Sequence, residues 1–295
     1  MEVLWFCVIA LLLVMFAIRD GADLGSGILY LMARSDSDRR IIQAAAGPAW
    51  NGNEVWLLLA AAALYYAFPS AYTSRGLCYS LAAVFSLLIL RAITSGLPNR
   101  IFYGVATLLS AVSFGAAIGF VIPDAPRWFP YLCGLCSLAV LTLDSAAWIA
   151  LHSTGNLQRQ CRQVASGVWW AVVPAYAVLV LAALTSQPHL VDDLMLHSRS
   201  ASSISIFAVI ALAGLIGTRL CLSVGFDLGT FASASCLIAG VLSSLAASQV
   251  PQLLNRDLPT SAPGLSAIWW LPAFAIAIGY NLTMSRRIRQ KIALP

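Results

Sequence analysis

Residues 3–31 read VLWFCVIALLLVMFAIRDGADLGSGILYL. An unbroken apolar run extends from Val3 to Ile18; Arg19, Asp20 and Asp23 then interrupt it, and Gly21, Gly25 and Gly27 punctuate the remainder. A bilayer core of ~30 Å takes about 20 apolar residues of helix. The stretch is long enough to span, yet it carries charge where lipid would be. It is preceded by Glu2 and no basic residue, unlike the positive n-region of a secretory signal, so it reads as a retained first helix.

The rest of the chain agrees. Of 295 residues, 60% are apolar and only 10% charged. Soluble domains carry roughly 25% charged residues, and a globule this size could not cover its surface with so few. Mean hydropathy is +0.84. A soluble enzyme, a disordered chain and a fibrous protein are excluded. The fold class is an all-α polytopic membrane protein forming a single integral membrane domain over residues 1–295.

Nine spans are expected, at about 3–31, 50–68, 76–97, 101–122, 130–151, 164–185, 203–219, 226–247 and 264–284. The boundary between the seventh and eighth is the least marked, because Leu220 to Phe226 is itself largely apolar. Placing the N-terminus outside puts Arg34, Arg39, Arg40, Arg100, Arg159, Arg162, Arg219, Arg286, Arg287, Arg289 and Lys291 on the cytoplasmic side. Arg75, Arg127, Arg199 and Arg256 fall outside. This bias satisfies the positive-inside rule, with the C-terminus cytoplasmic. No basic block carries interleaved aromatics, so nucleic-acid binding has no support.

Ionisable groups within spans are expensive and mark functional sites by default. Arg19 and Asp23 stand at i,i+4, where they could pair along one helix face. Asp20 lies between them. This segment fits either an ion pair that fixes helix packing or a polar lining for a proton path or a quinone head group. The second such stretch is Gly47-Pro-Ala-Trp50-Asn51-Gly-Asn53-Glu54-Val-Trp56-Leu. Asn51 and Asn53 suit helix caps, and Trp50 and Trp56 suit an interface belt. Glu54 lies about a turn inside the span and needs a partner, for which Arg91 in the third span is the natural choice. Glu54 fits either structural pairing or proton handling. Asp144 sits alone in the fifth span. Gly21-Ala-Asp23-Leu-Gly25 is echoed by Gly225-Phe-Asp227-Leu-Gly229, though the two do not occupy equivalent places in their spans.

Seven cysteines lie mostly in apolar runs. Cys133 and Cys136 have CxxC spacing, but no His follows and no second pair exists, so packing is their reading. His152, His189 and His197 lie at a helix end and in an outside loop. No His falls in mid-span, where a haem ligand would face the bundle interior. This chain is expected to bind no haem, metal or other cofactor itself.

The Arg19-Asp20-Gly-Ala-Asp23-Leu-Gly25-Ser-Gly27 segment, the Ser37-Asp-Arg39-Arg40 loop and the Trp50-to-Trp56 segment follow one another in an order that resembles subunit II of the cytochrome bd quinol oxidases. Thr154-Gly155-Asn-Leu157 to Arg162 is similar to that family's fifth-helix exit. The resemblance is specific over the first ~100 residues and rests beyond them on hydropathy and helix count. It implies nine helices, arranged as two four-helix bundles plus one peripheral helix. It implies a complex in the bacterial cytoplasmic membrane that oxidises a membrane quinol and reduces O₂ to water. Haem b and haem d belong to a partner, subunit I, and a small single-helix accessory subunit is compatible with the pattern.

In that setting Arg19, Asp20, Asp23, Asn51, Glu54 and Arg91 would form a proton path or polar cluster. Trp50 and Trp56 would be interface or gas-route aromatics. The chain departs from the family at Asn51, commonly Asp, at Ala92, often Pro, and in its shorter loops. Asn hydrogen-bonds but cannot carry a proton by ionising. Either Glu54 takes that role or the path runs elsewhere. Two other readings compete with the oxidase subunit: a stand-alone secondary transporter, which would show a clear repeat of broken helices, and a purely structural membrane subunit.

Overall fold

A computed structural model describes residues 2–46, 52–95, 100–122, 125–186 and 199–256, with 275 and 278–280. Among them there is no strand. The helices are α1 (Glu2–Arg19), α2 (Gly21–Leu24), α3 (Ser26–Met32), α4 (Asp36–Ala46), α5 (Glu54–Ala67), α6 (Arg75–Thr94), α7 (Arg100–Val121), α8 (Phe129–His152), α9 (Gly155–Ser186), α10 (Arg199–Val224) and α11 (Asp227–Arg256). A 3₁₀ turn at Pro69–Thr73 joins α5 to α6, and the Ser74 hydroxyl caps α6 by accepting from the Leu77 N–H at 3.4 Å.

Among the described residues six helices, from α6 to α11, are long and apolar enough to cross a membrane. A seventh crossing results if the bent α1–α3 stretch counts as one span. The chain is therefore an all-α polytopic membrane protein. The expected second span corresponds to α5, whose 14 residues fall short of the ~20 of a straight crossing. The expected span 264–284 lies almost wholly outside the described residues.

Several boundaries depart from the expectation. The first span is not one straight helix: its two arms, Leu4–Arg19 and Gly21–Met32, meet at 46°. The sixth begins at Gly155 rather than 164, and the seventh runs on to Val224. Hydropathy marks only the part of a helix that meets lipid, whereas backbone hydrogen bonding continues past it. The turn between α10 and α11 is set by Gly225, whose φ of 72° is the left-handed conformation that favours glycine. Residues 32–49, read as a loop, contain α4. That helix is held by Trp148 Nε1, which donates to the Ala45 carbonyl at 2.7 Å, and by the Arg39 guanidinium on the Ala33 carbonyl.

Consecutive helices α6 to α9 pack pairwise, as do α10 and α11. Helices α1 and α8 both lie against α11. One buried cluster there includes Phe16, Leu24, Trp56, Leu88, Phe114, Leu141 and Ile238, drawn from seven helices. Between apolar helices in lipid the gain comes from close packing rather than from escaping water. The short helices α2 and α3 sit inside this packing, against α7 and α8.

Candidate functional site: a buried polar cluster at the break in the first span

The break is made by the backbone. Asp20 leaves the helix at φ −94°, ψ −11°, and the chain resumes at Gly21. The Asp23 N–H bonds back to the Asp20 carbonyl at 3.0 Å instead of continuing the i→i−4 ladder. The Arg19 carbonyl accepts instead from Asn53 Nδ2 at 3.2 Å. Asn53, expected to cap α5, makes no side-chain cap bond there; its amide turns across to α1. An unmet carbonyl in a membrane interior costs several kcal/mol, so this one bond makes the kink tolerable.

Gly25 allows α8 to come close. A Cβ at Gly25 would run into the backbone carbonyl of Leu141 and crowd Ser145. No other residue type fits without moving a helix.

Around the break, Arg91 of α6 points inward and is 1% exposed. Its Nη2 lies 3.5 Å from Glu54 Oε1 and 3.9 Å from Asp20 Oδ1. Glu54 Oε2 accepts from the Gly52 N–H at 3.1 Å. Asp20 and Glu54 are fully buried, and Asp23 is 4% exposed. Asp23 feels both Asp20 and Arg91 electrostatically. Ser26 Oγ donates to the Asp23 carbonyl at 2.7 Å. Four ionisable side chains from three separate segments, three carboxyl groups and one guanidinium, are thus buried around the break.

Two expected members behave differently. Arg19 is exposed, and its carbonyl accepts from Asn53. Arg19 and Asp23 do not lie on one continuous helix, because α1 ends at Arg19 and α2 begins at Gly21. Trp56 is 8% exposed and belongs to the inner core rather than to an interface belt. Trp50 and Asn51 lie outside the described residues, as do His189, His197 and the C-terminal basic cluster.

His152 sits at the end of α8 with Nδ1 2.9 Å from the Trp148 carbonyl, and Met15 and Met32 are exposed. Cys133 and Cys136 are free thiols packed in α8.

A family model described as cytochrome bd terminal oxidase subunit II matches residues 1–269. The chain belongs to that family. It is 27% identical over 194 residues to a probable cytochrome oxidase subunit 2 of Haemophilus influenzae, covering 55% of this chain and 51% of the relative. It is 26% identical over 220 residues to the cytochrome bd-I ubiquinol oxidase subunit 2 of Escherichia coli, covering 72% of this chain and 55% of that one. Against the cytochrome bd ubiquinol oxidase subunit 2 of Bacillus subtilis it is 26% identical over 212 residues, 62% of each. The chain thus spans between half and two thirds of the length of these relatives.

Sequence reasoning missed a second constellation. Arg162 of α9 grips Asp227 with two bonds, Nε to Oδ1 at 2.7 Å and Nη2 to Oδ2 at 2.6 Å, and also donates to the Gly225 carbonyl at 3.0 Å. Gln158 Nε2 adds a bond to Asp227 Oδ2 at 2.9 Å. The Gly225-Phe-Asp227 echo carried the signal: both copies of the motif sit at helix breaks. The first draws charge inward, and the second latches a turn.

Proposed function

We propose that this subunit II-family chain is the haem-free second subunit of a cytochrome bd-type quinol:O₂ oxidoreductase in the bacterial cytoplasmic membrane. Its N-terminus faces outward and its C-terminus the cytoplasm. Haem b and haem d reside in the partner, subunit I, which carries the redox chemistry of quinol oxidation and O₂ reduction. The present chain contributes assembly and a polar route through its own helices.

The observation that carries this reading is the Asp20–Glu54–Arg91 cluster at a helix break. Reducing O₂ to water consumes protons, and they must reach a buried centre. Carboxyl groups that outnumber the neighbouring cations can take up and release protons in place, which a fully matched ion pair cannot. Arg91 holds Glu54 and Asp20 in reach of each other, and Asp23 extends the cluster along α2. Glu54 is the ionisable group of the Trp50–Trp56 segment and takes the proton-carrying role there.

Two adjoining apolar cavities support a gas route. One is lined by Leu13, Leu57 and Leu81, the other by Cys133, Val172 and Tyr176, and both are walled by Phe114, Ile118, Leu242 and Leu245. A small apolar gas partitions into such spaces without needing a polar site.

Purification from native membranes is the first test. Haem b and d absorbance should travel with this chain and a second polytopic subunit; a colourless chain without such a partner would sink the assignment. In the complex, Glu54→Gln should lower quinol-driven O₂ uptake while assembly and haem content stay intact. Unchanged uptake would remove Glu54 from the route.

A further inference from the structure

Asp144 lies in α8, away from the charged cluster in the chain, and is fully buried. Its Oδ1 accepts from Ser235 Oγ of α11 at 3.2 Å. Its Oδ2 has no hydrogen-bond partner among the described residues. On the same stretch of α8, Thr142 Oγ1 and Ser145 Oγ are likewise buried without one. An apolar membrane interior does not tolerate a bare carboxylate oxygen. Buried polar atoms left unmatched by protein are met by ordered water, and a carboxyl group is further relieved by carrying a proton.

The unmatched oxygen faces the break in the first span. A Cβ built on Gly21 would lie 3.6 Å from Asp144 Oδ2 and 3.0 Å from Leu141 Cδ2. Gly21 directly follows Asp20, whose carboxylate lies 3.9 Å from Arg91. Asp144 Oδ2 therefore lies beside Gly21, in the segment that carries Asp20 and Asp23, with Leu141 as the other near neighbour.

We infer that Asp144 is a further proton-holding residue of the buried polar site, exchanging a proton with the Asp20–Asp23 segment across the side-chain-free face of Gly21 by way of water. A proton arriving on Oδ2 converts the carboxylate to the neutral acid and leaves from the same oxygen. The Ser235 hydroxyl keeps its own proton on Oδ1 throughout, so no third group gains or loses one. This inference rests on reading the Glu54–Arg91 cluster as a proton route.

The test is infrared difference spectroscopy, reduced minus oxidised, on the complete complex. A carboxylic acid C=O band that shifts in D₂O is expected in the parent complex. It should be lost in Asp144→Asn and displaced in Ser235→Ala, which removes the donor on Oδ1. Should Asp144→Asn prevent assembly, the Ser235→Ala complex decides: a band that does not move overturns the inference. An Asp144→Asn complex with the parent band and parent O₂ uptake also overturns it. If Glu54→Gln is slowed while Asp144→Asn matches the parent, Asp144 alone is removed from the route. If Glu54→Gln turns over unchanged, the route itself falls, and the role of Asp144 with it.

Discussion

The carbonyl of Arg19 and the side-chain amide of Asn53 stand 34 positions apart in the chain and are joined by a 3.2 Å hydrogen bond. That bond links the two halves of the polar site. It lets the first span bend at Asp20, and the bend turns Asp20 and Asp23 toward Arg91 and Glu54. Without a donor there, the freed carbonyl would face an apolar interior.

Asn53→Leu should therefore destabilise the chain by about 1–3 kcal/mol, the cost of stranding a buried acceptor. Thermal unfolding of the detergent-solubilised protein measures it. Asn53→Gln, which keeps the amide, should lose less than Asn53→Leu. Equal losses would show that packing, not the bond, holds the kink.

Arg91 is the cation against which Asp20 and Glu54 are set. Removing one partner of a buried pair typically costs about 3–5 kcal/mol. Arg91→Met should cut the yield of folded protein sharply, and adding Glu54→Gln should restore part of it. A double variant no better than Arg91→Met alone would contradict the pairing. The comparison is read from monodisperse yield and thermal midpoint.

Two glycines give opposite expectations. Gly25→Ala drives a methyl into the Leu141 carbonyl, an overpacking that costs about 1–3 kcal/mol or more because backbone must move. Gly167 lies within α9, and a Cβ there meets nothing within 4 Å among the described residues. Gly167→Ala should be neutral or stabilising by up to about 1 kcal/mol, the difference in helix propensity. Thermal midpoints of the two variants, measured side by side, test the contrast.

The Arg162–Asp227 latch is part-exposed on its arginine side, with side-chain exposures of 35% and 11%, so its contribution is discounted for solvent. Arg162→Lys keeps the charge and loses the two-pronged geometry. It should loosen the α10–α11 turn nearly as much as Arg162→Ala, read as faster hydrogen exchange at the amides of residues 225–230. Protection retained in Arg162→Lys would mean that charge alone suffices.

The sequence was informative where single residues violate their surroundings. An apolar run broken by Arg19, Asp20 and Asp23 announced both a membrane helix and a site, because the hydrocarbon interior of a bilayer penalises charge. The Glu54–Arg91 pairing was legible for the same reason: a buried carboxylate demands a cation, and Arg91 was a cation within a neighbouring span. Side-chain direction was not legible. Periodicity placed Arg19 and Asp23 on one helix face, whereas the break at Asp20 leaves Arg19 exposed. The aromatic rule put Trp56 at an interface, while helix packing takes it into the core.

Composition and charge spacing alone determined that the chain is a bundle of membrane helices with a polar cluster near its first two spans, since hydropathy and ion solvation are local properties. Tertiary structure alone decided where the first span bends, which carbonyl Asn53 serves, and that Ser235 meets Asp144 across 91 positions. Those outcomes depend on the distance between atoms of different helices. That distance is set by packing at glycines such as Gly21 and Gly25, not by any pattern along one helix.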